Sequence, residues 1–334
     1  MLRTKELPEG VIRSNPDMKT DTTVSPCQGP INNLPLGASL YATFLCILFG
    51  ANPTAIKISL EGFGIFTVAG LRFSIAALAL ILWAALTRRP LALKSKKQVL
   101  QMGKLALIFI TQITCFYTGL SKTTASHGTL IANLLPFIVL ILAHFYIPGD
   151  RITMKKSIGI VFGFSGVLCL LLDQGGFSGE IHRGDFFVFV AVSLWGCNAV
   201  YLKRIIADYH AVQVTVYPML FSIPFFFMAG WFWDAPMVGT IDTSVFLSIL
   251  YQSLVTAAYG FISWNLMLQK FGATAMHTFV FIMPVSGVFF GVSLLGEPLT
   301  AALIMSIILI ATGIMVVHLH LPRQKKQALP MVKQ

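Results

Sequence analysis

LFGANPTAIK at residues 48–57 and LWGCNAVYLK at residues 194–203 are two copies of one segment. Gly50, Asn52 and Lys57 align with Gly196, Asn198 and Lys203 at a single offset of 146. In both copies a long apolar stretch ends on an amide and then a cation. The correspondence continues outward. Lys122, Ala125 and Pro136 align with Lys270, Ala273 and Pro284 at an offset of 148, and Asp150, Thr153 and Gly166 with Glu297, Thr300 and Gly313 at 147. Single coincidences are common, but an ordered series at a nearly constant offset is not. The chain is an internal duplication.

Apolar spans fall at about 36–57, 64–86, 100–121, 125–147, 154–173, 184–203, 212–232, 244–267, 274–295 and 301–320. Each is near the ~20 residues that carry a helix across a bilayer. Helices satisfy every backbone group within the segment, as lipid requires. A barrel needs ~10-residue segments of alternating polarity, and none are present. Five spans per copy is an odd number, so the second copy enters the membrane the opposite way. Inverted repeats of this kind place a substrate site near mid-membrane, between the halves. The expectation is an all-α integral membrane protein of ten transmembrane helices. Its two inverted five-helix repeats are 36–173 and 184–320. Residues 1–35, polar and bearing Pro8, Pro16, Pro26, Pro30 and Pro35, read as a flexible cytoplasmic tail, and residues 321–334 as a basic one.

Composition agrees. Only 11% of the residues are charged, against about 25% in a soluble domain, too few to cover a soluble surface of 334 residues. The net charge of +11 does not indicate nucleic acid, because the basic residues sit just outside apolar spans with no interleaved aromatic stripe. They are also one-sided. Arg88, Arg89, Lys94, Lys96, Lys97, Arg151, Lys155, Lys156, Lys203, Arg204, Lys270, Arg323, Lys325, Lys326 and Lys333 fall on one face of the membrane. The other face has mainly Lys57, Lys122 and Arg183. The positive-inside rule then puts both termini in the cytoplasm. Cys27, Cys46, Cys115, Cys169 and Cys197 show no metal-ligand spacing, so neither metal nor cofactor is expected.

GANPTAIK, LRF at 71–73, ASHGTLIANLLPFIVLILAHF at 125–145 and LGEPLT at 295–300 together resemble the drug/metabolite transporter superfamily, and within it the EamA type with two EamA repeats. The resemblance covers about residues 38–320. It implies a carrier of the bacterial inner membrane. The first four helices of each half would surround a central cavity, and the fifth and tenth would be peripheral. One departure is IPGDRIT at 147–153, where the family usually has a Glu-based turn.

Candidate cavity residues follow. Arg72 lies about eight residues into span two, where a cation is expensive unless paired or wetted. It contacts either an anionic group of a substrate or helix-end carbonyls at the interface. Asn52 and Asn198 line the cavity or bond between helices. Pro53 beside Asn52 is expected to bend or break span one. His127 and His277 serve as proton relays or as packing residues. Tyr117, Asn133, Trp195, Tyr259 and Asn265 can stack on or hydrogen-bond to a metabolite, with interface anchoring as the alternative. Pro136 and Pro284 are expected to kink spans four and nine at matching depth. Gly50 and Gly196 belong with these structural positions. The GxxxG pairs Gly159–Gly163 and Gly287–Gly291 mean close helix packing, with a homodimer contact as the lesser reading. Asp150, Asp185 and Glu297 lie at span ends, where capping or the helix dipole accounts for them. No carboxylate deep in a span is expected, which argues against cationic-drug/proton antiport but not against other proton or ion coupling.

The leading function is secondary active transport of a small organic metabolite by alternating access. Export of an amino acid or related metabolite rests on the resemblance. No GxxxxGK[ST] is present to bring an ATPase. No HExxH or GxSxG supports an intramembrane enzyme. A lipid-handling or scaffold protein is the remaining alternative, distinguished by an apolar, laterally open cavity.

Overall fold

The computed structural model describes residues 35–147, 152–173, 180–206, 209–271, 276 and 279–318. Among these residues there is no strand, only an isolated bridge from Phe63 to Val238. The first half has span one, Leu36–Leu60; span two, Ile65–Leu86; span three, Lys96–Lys122; span four, Ala125–Tyr146; and span five, Met154–Asp173. The second half has span six, Glu180–Ile205; span seven, Ala211–Trp233; span eight, Thr243–Phe271; span nine, Ile282–Leu295; and span ten, Ala301–His318. Spans one to eight are long and apolar enough to cross a membrane, and nine and ten are shorter apolar helices.

The prolines act differently from one another. Span one stays helical through the buried Pro53, so the expected break is not there. Gly50, one turn earlier, is clamped against span nine: a Cβ on it would lie 2.0 Å from Ser286 Oγ and 2.8 Å from the Met283 carbonyl. Pro136 divides span four into two helices, Ala125–Ala132 and Leu135–Tyr146. A proline clashes with the carbonyl four residues back, here that of Ala132, but is at home in a first turn. The Asn133 backbone N–H and side-chain amide both donate to the Thr129 carbonyl, at 3.1 and 2.8 Å, closing the end of the first helix. Pro284 likewise lies in the first turn of span nine, after a turn at Phe279–Phe281.

Span eight is irregular in another way. Between the helices Thr243–Leu250 and Phe261–Phe271 it runs as a π-helix, Tyr251–Gly260. The Ser253 and Thr256 hydroxyls reach carbonyls four residues back, those of Ile249 at 2.6 Å and Gln252 at 2.8 Å. They thereby occupy acceptors that an α-helix would give to N–H groups.

Packing follows the duplication. Span three lies along span six, as span one lies along span eight. Span one packs on span nine, as span six packs on span four, where a Cβ on Gly196 would meet Ile138 at 2.7 Å. Spans two and seven, four and nine, and five and ten pair across the same axis. Spans five and ten touch chiefly each other. At their seam Gly159 is opposed by Gly313, and Gly166 by Ser306, whose hydroxyl donates to the Gly166 carbonyl at 2.7 Å. The offset of 147 turns each of these pairs into the other, so the seam is self-complementary like a two-fold dimer interface. Gly159, Gly163, Gly287 and Gly291 all face neighbours within the chain, which fills both GxxxG faces from inside.

Candidate substrate site between the halves

Arg72 on span two is 7% exposed. Its Nη1 donates to Tyr117 Oη on span three at 3.0 Å, and Nη2 stands 3.5 Å from Thr256 Oγ1 on span eight. Nε has no partner. Tyr117, fully buried, donates in turn to Gln252 Oε1 at 2.9 Å, and Gln252 Nε2 donates to Ser59 Oγ at 2.9 Å. Thr256 Oγ1 lies 2.9 Å from Asn52 Oδ1 and 2.8 Å from the Gln252 carbonyl, so its single proton serves one of them at a time. Spans one, two and three of the first half thus meet the π segment of span eight through hydrogen bonds around one buried guanidinium. Among the described residues no carboxylate pairs with Arg72, since the ion pair found there is His127–Asp185. An unneutralised buried cation is costly, and an orphan N–H beside it adds to that cost.

The repeat partner of Asn52 takes the equivalent place. The Asn198 amide on span six reaches Gln112 Oε1 on span three at 3.4 Å. Trp195, one turn earlier, stacks edge-on at 6.5 Å from the Phe116 ring. Both asparagines and Trp195 are half-buried. Asn133 is buried, with its amide committed to the helix break. Tyr259 is 46% exposed and bonded to Tyr41 Oη at 2.6 Å, away from the Arg72 network. Asn265 lies on the helix Phe261–Phe271 with its side chain outside the described residues, and His277 and Asp150 lie outside them altogether.

Gln252, Thr256, Ser59 and Gln112 were missed by the sequence reading. For Gln112, Gln252 and Thr256 the signal was present, since uncharged polar side chains in the middle of apolar spans need partners; Ser59 lies beyond the apolar run of span one.

A second cluster lies at the end of the bundle where spans one and three finish. Asp185 is not a span-end cap as its position suggested, because span six begins at Glu180 and carries Asp185 in its second turn. It is 2% exposed and accepts from Thr123 Oγ1 at 2.5 Å, with His127 Nδ1 at 3.0 Å. Lys57 Nζ donates to the Thr123 carbonyl. Glu297 caps span four rather than its own span ten, accepting the N–H groups of Ala125 at 2.5 Å and Ser126 at 2.9 Å. Gly296, left-handed at φ 65°, makes the turn that sends Glu297 there. Asp234 does the same for span two through Phe66 and Thr67. Gly64 N–H to Met237 and Gly239 N–H to Gly62 tie the loops together. A cavity of about 350 Å³, lined by Glu61, Phe63, Ser121, Trp233 and Asp234 among others, opens at this same end, apart from Arg72.

The sequence model of the EamA-like transporter family matches residues 36–172 and again residues 182–319. The chain belongs to the EamA-like transporter family. It is 25% identical over 275 residues to the uncharacterized transporter YyaM of Bacillus subtilis (strain 168), covering 80% of this chain and 89% of that protein. It is 25% identical over 282 residues to a probable amino-acid metabolite efflux pump of Escherichia coli (strain K12), covering 82% and 92%. One solved crystal structure of a protein superposes with TM-score 0.63 at 20% identity, over 84% of this chain and 97% of that one. That last likeness concerns the fold alone. Two EamA repeats, ten apolar helices and the packing symmetry make this chain a multi-pass membrane transporter of the EamA-like family.

Proposed function

We propose that the protein moves a small organic metabolite by alternating access as a secondary transporter, and that it exports an amino acid or a related compound. The carrying observation is the buried Arg72, held by Tyr117 and facing Thr256 across the boundary between the halves with no carboxylate partner among the described residues. A solute carboxylate placed against the guanidinium would neutralise it and satisfy Nε, and Asn52, Thr256 and Gln252 supply neighbouring polar groups for the rest of the molecule. The amino-acid reading rests on the likeness to the probable amino-acid metabolite efflux pump of Escherichia coli, 25% identical. The charge bias puts the basic loops and both termini in the cytoplasm of a bacterial inner membrane and the Lys57–Glu297 end outside.

The experiment is a thermal-shift screen of purified protein against amino acids and their metabolites, with hits followed as flux in sealed vesicles. Transport that is lost in Arg72→Ala and weakened in Asn198→Ala supports the reading. A hit indifferent to both substitutions removes this site, and no movement of any solute over a broad panel removes the function.

A further inference from the structure

We infer that His127 and Asp185 form the proton-binding site that sets whether the outer end of the carrier is closed or open; this rests on the alternating-access reading above. The pair bridges the halves, with His127 in the first turn of span four and Asp185 in the second turn of span six. Both are buried and bonded to each other at 3.0 Å, and Thr123 of span three holds the second carboxylate oxygen. The outer end cannot part spans three and four from span six without separating these groups. A carboxylate left alone at that depth is expensive, so the closed arrangement depends on the charge state of the pair.

The neighbouring charges fix the sign. Lys57 from span one bonds the Thr123 carbonyl, and Glu297 from the loop between spans nine and ten sits on the two residues before His127. Asp185 is the third formal charge. Lys122 is half-buried at the end of span three, while Arg183 and Glu61 are exposed at the rim. Span five ends at Asp173, whose side chain lies outside the described residues. With neutral His127 the bonded cluster holds one positive and two negative charges. A proton on His127 brings it to neutrality and turns the hydrogen bond to the Asp185 carboxylate into an ion pair. Proton uptake and closure therefore favour each other. Loss of that proton loosens the outer end. A proton arriving from outside would close that end and return the carrier to face the cytoplasm.

The test needs no solute. Full-length protein in nanodiscs, with the native cysteines replaced, carries spin labels at Ser121→Cys on span three and Phe186→Cys on span six, both exposed at this end. The distance distribution is recorded from about pH 5 to about pH 8. We expect a longer component to grow as the pH rises. That response should be lost in Asp185→Asn and in His127→Gln, and kept in Asp185→Glu, which preserves a titratable group. Nitrogen NMR of labelled histidine should show one titrating imidazole that vanishes in His127→Gln and changes in Asp185→Asn. A wild-type distribution that ignores pH overturns the inference, as does a wild-type response retained in either neutral variant. Solute flux that persists while the gate ignores pH removes this coupling and leaves the transporter. A pH-responsive gate in a protein that moves no solute does the reverse.

Discussion

Glu297 and Ser126 are separated by 171 residues, yet the Glu297 carboxylate caps the helix that Ser126 begins, with Oε2 2.9 Å from its N–H. The first N–H groups of a helix have no intrahelical partner and carry the positive end of its dipole. Glu297→Ala should lower stability by about 1–2 kcal/mol, the usual worth of a cap. Asp234→Ala should do the same at span two. A fall in the thermal midpoint of detergent-purified protein measures both.

Tyr117 accepts from Arg72 and donates to Gln252, so it fixes where the guanidinium points. Tyr117→Phe keeps the ring and deletes both bonds. The bond from Arg72 is worth roughly 1.5–3 kcal/mol and the neutral one to Gln252 roughly 0.5–1.5 kcal/mol. Solute affinity should weaken by about tenfold or more, by the ~1.4 kcal/mol per decade relation. Arg72→Ala should abolish flux while the protein remains monodisperse. Ligand titration and vesicle flux on the same preparations separate the two.

Glycine positions supply a contrast. Gly50→Ala drives a Cβ into Ser286 and the Met283 backbone, and should destabilise the protein by about 1–3 kcal/mol. Gly103 sits inside span three with nothing within 4 Å of a Cβ. Gly103→Ala should raise stability by roughly 0.4–1 kcal/mol, because alanine restricts the unfolded chain. Opposite shifts of the thermal midpoint are the expected outcome.

Acid should loosen the start of span eight. Asp242 accepts from Val245 N–H at 2.8 Å and from the Ser244 hydroxyl at 2.9 Å. The backbone bond first, and the hydroxyl second, hold its carboxyl below the usual carboxylate range. A depressed folded-state value means the contribution is complete above the unfolded value and is lost as the pH falls through the folded one. Protection of the Val245 amide, its exchange rate referred to the intrinsic rate at each pH, should fall in that acid window. Asp242→Ala should leave that protection low and unchanging across it.

The ten helices and their duplication were legible because the aligned residues Gly50, Asn52 and Pro136 recur with their neighbours at nearly constant offsets, 146 for the first two and 148 for the third. Lipid also leaves so few backbone options that apolar length nearly decides the architecture. Arg72, Tyr117 and Asn52 were legible as polar residues at depth, and the structure brings them together. Asp185 was misjudged because span six starts several residues earlier than its apolar run, in a segment opening Glu-Ile-His-Arg. Gln252 was invisible as a partner for Tyr117 because that pairing depends on a π turn. Asn133 looked like a cavity residue, and only the break that Pro136 enforces shows what its amide does.

The self-complementary seam between spans five and ten has a genetic corollary. Gly159 meets Gly313 as Gly166 meets Ser306, so a bulky residue at one site collides with a position about 150 residues away. Suppressor screens should therefore return second-site revertants across the seam and not along the same helix. Revertants of a Gly166 lesion should cluster at Ile310, and those of a Gly159 lesion at Val317.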